Sequence, residues 1–192
     1  MEKLFELFKG NSSSYIKSTV NGELDDRGKR ITSYTTVHEP VTTKQWQEHL
    51  DGKIRIGFKP EEEGQCMWGC IDVDPSSYKN YSQKKYVDII KNYKLPLVAI
   101  KSKSGGLHIF VFFTEWADVE KVSDKLKKIN DKYFLAQEVF PCNKALNMPY
   151  QNMNSSMEFA YDDDNNPVLI KRFVEIALAK KIKPEDFYKL RI

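Results

Sequence analysis

The sequence predicts an α+β fold in which short strands and amphipathic helices alternate along a chain of 192 residues. Apolar residues recur at helical spacing in two otherwise polar stretches, first at Tyr86, Ile89, Ile90 and Tyr93, then at Val119, Val122, Leu126 and Ile129. Around them lie short runs with strand composition: CMWGCIDV at 66–73, LVAIKS at 97–102 and LHIFVFF at 107–113. There is no internal repeat and no low-complexity linker, so these elements belong to one compact arrangement with a mixed strand order.

Taken in order, residues 3–9 read as a short helix with Leu4, Phe5 and Phe8 apolar and Gly10 at its end. Residues 11–40 are polar, and NGELDDRGK reads as a mobile hairpin tip. Thr42 and Gln45 form a capping box for a helix that turns Trp46 and Leu50 inward and closes at Gly52. His49 falls on the outer side of that helix and reads as a surface residue, while His38 sits in a loop before Pro40. IRIGF at 54–58 is a short strand, followed by the polar turn KPEEEG and the strand at 66–73. Ser82 caps the next helix, Pro96 prevents its continuation, and two strands follow on either side of a glycine pair. After the second long helix come a strand at 138–140, an irregular segment to about 155, a hairpin turning at DDDNNP, and a helix over 168–181.

Composition excludes several classes. With 41% hydrophobic and 12% aromatic residues the chain can bury an ordinary interior. No run of about 18 apolar residues is present to span a membrane, and MEKLFELFKG lacks an apolar signal core, so a cytoplasmic protein is expected. Three cysteines, Cys66, Cys70 and Cys142, are too few for a disulfide framework, and Cys66 and Cys70 lack partners at zinc-ligand spacing. The net charge of +3 is permissive for a nucleic-acid partner without requiring one. Between Lys79 and Lys103 seven lysines face the single acid Asp88, a pattern that suits a solvated helix face as well as a phosphate track.

Chemistry concentrates in three places. In CIDVDP, Asp72 and Asp74 are two apart on a strand, so both project from one face at its C-terminal end, where Pro75 stops the ladder. Two such carboxylates repel, and a hard divalent cation, Mg²⁺ or Mn²⁺, relieves the repulsion. In KSKSGGLHIFVFF, Gly105 and Gly106 allow backbone amides close to an anion, and Lys101, Ser102, Lys103 and Ser104 add charge and donors. His108 shares a strand face with Phe110 and Phe112, which fits a core histidine or a phosphate-contacting donor. Glu138 gains meaning only if the fold carries it to Asp72 and Asp74, where three carboxylates could bridge two metals.

An acid-x-acid at a strand end, then Ser-Gly-Gly-x-His opening a strand, then a lone acid resembles the archaeo-eukaryotic primase superfamily. The flanks KLFELFKGNSSSYI, PVTTKQWQEHLDGKIRIGFKP, MWGCIDVDP and EVFPCNKALNMPYQN resemble the primase-polymerases of TOTE conflict systems and related phage proteins, over about residues 3–152. The resemblance implies a small α/β lobe packed on a mixed sheet like that of RNA-recognition motifs, with the active site in the cleft between them. Residues 1–75 would form the N-terminal portion, 76–170 the RNA-recognition-motif-like portion and 171–192 a helical tail of one catalytic domain. It further implies that Asp72, Asp74 and Glu138 hold two Mg²⁺ or Mn²⁺ ions. Lys101, Lys103, Ser104, Gly105, Gly106, His108 and Asn147 would hold the incoming nucleotide, with Asp72, Asp74, His108 and Glu138 catalytic. Arg55, Lys59 and Lys144 would contact nucleic acid or phosphate, Lys144 replacing a family lysine at the place where Cys142 stands. The implied activity is template-directed nucleotidyl transfer from NTPs or dNTPs on single-stranded DNA, in a phage or mobile-element setting. The zinc cysteines of some relatives are absent, so no zinc is expected; no GxxxxGK[ST] loop is present either, so a helicase would be a separate partner.

Two other functions fit parts of the sequence. DVDPS at 72–76 matches the DxDx[ST] opening of haloacid-dehalogenase-type phosphatases, with Asp72 as nucleophile and Ser102, Asp163 and Asp164 as later motifs. A non-catalytic module of the primase fold would instead bind single-stranded nucleic acid through exposed aromatics and lysines.

Overall fold

In the computed structural model, residues 2–24, 30–75, 81–134, 136, 138–153 and 157–192 are described. Helix α1 (Glu2–Leu7) leads into a long hairpin of β1 (Tyr15–Leu24) and β2 (Arg30–Val37). The expected tip at 25–29 lies outside the described residues. Helix α2 (Thr43–Leu50) opens with the expected capping box: the Thr42 hydroxyl accepts from the Lys44 amide at 3.2 Å, and the Gln45 side chain accepts from the Thr42 amide at 3.1 Å. Strand β3 (Arg55–Phe58) follows, then β4 (Glu61–Glu62), β5 (Gln65–Val73), α3 (Gln83–Asn92), β6 (Val98–Lys101), β7 (Leu107–Asp118), α4 (Val119–Tyr133) and β8 (Glu138–Phe140). The chain ends with β9 (Leu146–Asn147), β10 (Ala160–Tyr161), β11 (Pro167–Val168), α5 (Ile170–Ala179) and α6 (Pro184–Lys189).

These strands form two sheets, ordered β2-β1-β3-β9 and β11-β10-β6-β7-β5-β4, with β8 paired to β5 beside β4. Strand order is mixed as expected, yet among the described residues every ladder between these strands is antiparallel, the one parallel pairing being an isolated bridge between Phe113 and Ile182. Residues 65–140 make a βαββαβ unit with spatial order β8-β5-β7-β6, the arrangement of ferredoxin-like and RNA-recognition-motif sheets. The division expected at residue 75 therefore falls inside this unit, because β5 is its first strand.

Helices α3 and α4 cover one face of the second sheet. Val87, Ile90, Val122, Leu126 and Ile129 meet Ile71, Val73, Leu107, Ile109 and Val111 there, all buried. Tyr93, expected inward, is 58% exposed; the helix axis has carried it past the sheet, and its ring rests on Tyr133 at 4.7 Å. The opposite face is covered by α1, α2 and α5 around Phe8, whose ring lies 5.2–6.2 Å from those of Trp46, Trp68, Phe110, Phe112 and Phe173. Burying one such aromatic contributes about 1.5–3 kcal/mol. Phe173 and Ala177 belong to this core, so α5 is an integral layer rather than a tail. Helix α6, which the sequence reading did not anticipate, is anchored by the buried Phe187 against Phe113.

His49 is fully buried, correcting its expected surface place. Its Nε2–H donates to the Pro149 carbonyl at 3.0 Å and its Nδ1 accepts the Ile56 amide at 3.3 Å, so both ring nitrogens are occupied by backbone. Burial pushes its pKa down to about 4. Among the described residues no helix is long and apolar enough to cross a membrane.

Candidate active site

On the face covered by α1, α2 and α5 the second sheet changes character along β5. Trp68 and Cys70 are buried in the apolar core, and the next residue on that face is Asp72. Asp72 stands directly opposite His108 on β7 and opposite Glu138 on β8, so the three side chains form one cross-strand row facing the same way. Next to His108 the same row continues to the buried Ile100 on β6. The first sheet supplies a second matched row, Tyr34 on β2, Ser18 on β1 and Arg55 on β3. A cleft of about 600 Å³ opens between the two sheets. Tyr34, Ser18, Arg55, Asn147 and Pro149 line one side of it. Asp72, Asp74, His108, Glu158 and the Lys101–Ser104 segment line the other.

The sequence-predicted residues divide accordingly. Asp72, Asp74, Lys101, Lys103, Ser104, His108, Asn147 and Arg55 all border the cleft. Gly105 and Gly106 belong to the turn beneath it. Gly105 has φ +88°, a left-handed conformation that suits glycine, and Gly106 lies so close to β5 that a Cβ there would sit 2.2 Å from the Val73 carbonyl oxygen. Ser102 closes this turn, its amide donating to Gly106 O at 2.9 Å and its carbonyl accepting from the Gly105 amide at 3.0 Å. Gln83 at the start of α3 braces it by donating to Gly105 O at 2.6 Å. Gly105 is thus favoured by its backbone conformation, and Gly106 is required by packing against β5. Lys59 does not border the cleft; its carbonyl instead accepts the Asn11 amide at 3.1 Å near α1. Lys144 forms an ion pair with Glu138.

Electrostatics single out Asp72. Burial, then the neighbouring Glu138 and Asp74 carboxylates, raise its pKa from 3.8 to about 6. His108 is 14% exposed, and burial pushes its pKa down to about 4. At neutral pH an uncharged imidazole therefore faces an ionised carboxylate, Nε2 lying 3.5 Å from Asp72 Oδ1. Among the described residues no group of three His, Cys, Asp or Glu side chains is gathered tightly enough to hold a metal ion. Glu138 shares the row, but its carboxylate is engaged by Lys144. The donor set nonetheless suits a hard cation: it is all oxygen, and its central member carries charge that its neighbours oppose. Cys66 and Cys70 are buried in different cores and do not form a metal pair.

Sequence reasoning missed Ser18, Tyr34, Gln151 and Glu158. Glu158 had one signal, a lone acid within the apolar run Met157, Phe159 and Ala160. It is buried and accepts from Arg55 Nη2 at 2.9 Å. The phosphatase reading loses its support: β5 has antiparallel neighbours on both sides, and Asp163 and Asp164 pair with Lys180 and Lys91 away from the cleft.

A family model described as TOTE conflict system, Archaeo-Eukaryotic Primase domain, matches residues 5–144. Among solved structures, the chain is similar to the AEP domain of the cyanophage S-2L primase-polymerase, at 9% sequence identity and a TM-score of 0.45. That similarity covers 91% of this chain and 94% of the phage domain. No curated protein matches the sequence.

Proposed function

The chain belongs to the archaeo-eukaryotic primase domain family of TOTE conflict systems, and on that premise we propose that it is a primase or primase-polymerase catalytic domain. It carries out template-directed nucleotidyl transfer from NTPs or dNTPs on single-stranded DNA, with release of pyrophosphate. The single observation that carries this function is the row Glu138–Asp72–His108, set in register on three adjacent strands, with Asp72 and His108 lining the cleft.

Asp72, Asp74 and Glu138 would hold Mg²⁺ or Mn²⁺. When bound, the ions supply activation of the attacking hydroxyl and neutralisation of the departing pyrophosphate. The protein's own groups do the positioning. Lys101, Lys103 and Ser104 present charge and a hydroxyl donor to the phosphates from a turn held rigidly against β5. His108, uncharged, offers a ring nitrogen to a phosphate oxygen without adding a second buried charge beside Asp72. Asn147 offers an amide from the facing sheet. A separate helicase or replication protein would supply unwound template.

The test is a primer-extension gel with single-stranded template, labelled NTPs or dNTPs, and Mg²⁺ or Mn²⁺, run with and without primer. Asp72→Ala and Asp74→Ala should each lose synthesis while keeping the wild-type circular dichroism spectrum; near-normal extension by either would refute the role of these acids. The Lys144–Glu138 ion pair favours a second function, a non-catalytic single-strand-binding module, because it neutralises one of the three acids. In that case nucleic-acid binding survives in Asp72→Asn, and wild-type protein makes no product with either metal.

A further inference from the structure

Arg55 and Glu158 form an ion pair at the wall of the cleft, with side chains only 13% and 5% exposed. Such a pair gives little net stability, because the cost of desolvating two charges offsets their attraction and apolar replacements are often as stable. The surroundings are unusually complete. Arg55 Nε donates to Gln151 Oε1 at 2.7 Å, and Arg55 Nη2 to Glu158 Oε1 at 2.9 Å. The Gln151 amide in turn donates to Glu158 Oε2 at 3.1 Å, and Gln151 Nε2 to the Ile54 carbonyl at 3.3 Å. One edge of the planar guanidinium is therefore fixed from two sides. A guanidinium carries five N–H donors, so these two bonds leave donors on a side chain that borders the cleft. Arg55 and Glu158 both lie within electrostatic reach of His108.

Resting on the polymerase reading above, we infer that Arg55 binds the phosphate chain of the incoming nucleoside triphosphate and that Glu158, with Gln151, is the positioning residue that aims it. Glu158 acts by fixing the Arg55 guanidinium, to which it is bonded at Nη2.

The test is steady-state primer extension with varied dATP or ATP, alongside unfolding midpoints of each variant. Arg55→Met should raise the nucleotide KM about 10- to 100-fold, the loss expected for a charge-assisted hydrogen bond, with kcat changed by less than about 3-fold. Arg55→Lys should fall between, since it keeps the charge and loses the fork. Glu158→Gln should raise KM in the same direction, and adding it to Arg55→Met should produce no further rise. If Glu158→Gln does not fold, the doubly uncharged pair Arg55→Met/Glu158→Leu should fold and show the KM of Arg55→Met alone. An unchanged KM in Arg55→Met, or additive effects of the two positions, would overturn the assignment and leave a purely structural clamp. Wild-type protein that neither binds nor incorporates any nucleoside triphosphate would instead bring down the polymerase reading itself, and this assignment with it.

Discussion

Replacing Asp72 with Asn is expected to stabilise the metal-free protein while ending synthesis. Burial, Glu138 and Asp74 together raise the Asp72 pKa from 3.8 to about 6. At roughly 1.4 kcal/mol per pH unit, the ionised side chain costs the fold about 3 kcal/mol at neutral pH. Asn keeps the shape and removes the charge, but remains a half-buried polar group, so a net gain of about 1–2 kcal/mol is expected. For a chain of this size that is a rise in Tm of about 2–8 °C. The sign follows from proton binding. Between the two pKa values the folded wild-type protein holds more protons than the unfolded chain, so its stability falls as pH rises from about 4 to 6. Asp72→Asn lacks that decline. Thermal unfolding followed by circular dichroism in EDTA should show the two proteins alike near pH 4 and separated above pH 6. Excess Mn²⁺ should narrow the gap by stabilising the wild type alone. A variant less stable than wild type at pH 7 in EDTA, or a gap independent of pH, would refute the reasoning.

Two further outcomes follow from the structure. His49 binds a proton less readily folded, near pH 4, than unfolded, near 6.5, so its contribution is present above pH 6.5 and about 3 kcal/mol is lost as pH falls to 4. Urea unfolding at pH 7, 5 and 4 should show a shallower acid decline in His49→Gln than in wild type, and parallel declines would count against the buried neutral imidazole. Gly105→Ala should cost about 1 kcal/mol from its left-handed backbone, since nothing lies within 4 Å of the added methyl. Gly106→Ala should cost more than about 2 kcal/mol and impair synthesis, because the new Cβ would meet the Val73 carbonyl at 2.2 Å. Equal midpoints and equal extension rates for the two variants would contradict this ranking.

Local signals carried well from sequence to structure. The Thr42–Gln45 capping box, the Ser82 cap and the inward stripe of α4 each depend on residues a turn or two apart. The acid pair at the end of β5 was legible for the same reason, as was the shared face of His108, Phe110 and Phe112. What stayed hidden depends on partners distant in sequence. His49 looked external because its acceptor is the Pro149 carbonyl, 100 residues away. Glu158 meets Arg55 across 103 residues, and no local pattern announces that pairing. The break expected at residue 75 was misplaced because β5 finds its neighbours in β7 and β8 rather than in the preceding hairpin. Lys144 was expected to meet phosphate, and only the path after β8 brings it to Glu138.

Because Glu138, Asp72 and His108 stand on three adjacent strands joined by two hydrogen-bonded ladders, their backbone separations are multiples of the inter-strand gap of about 4.8 Å. Side-chain alternation makes this ruler unforgiving. Deleting or inserting one residue within β7 or β8 would flip the imidazole or the carboxylate to the side occupied by α3 and α4, leaving a charged or polar group among leucines and isoleucines. Length variation in this family is therefore expected to accumulate in the segments joining the strands, and the reach of any ligand bridging the row is dictated by the sheet itself.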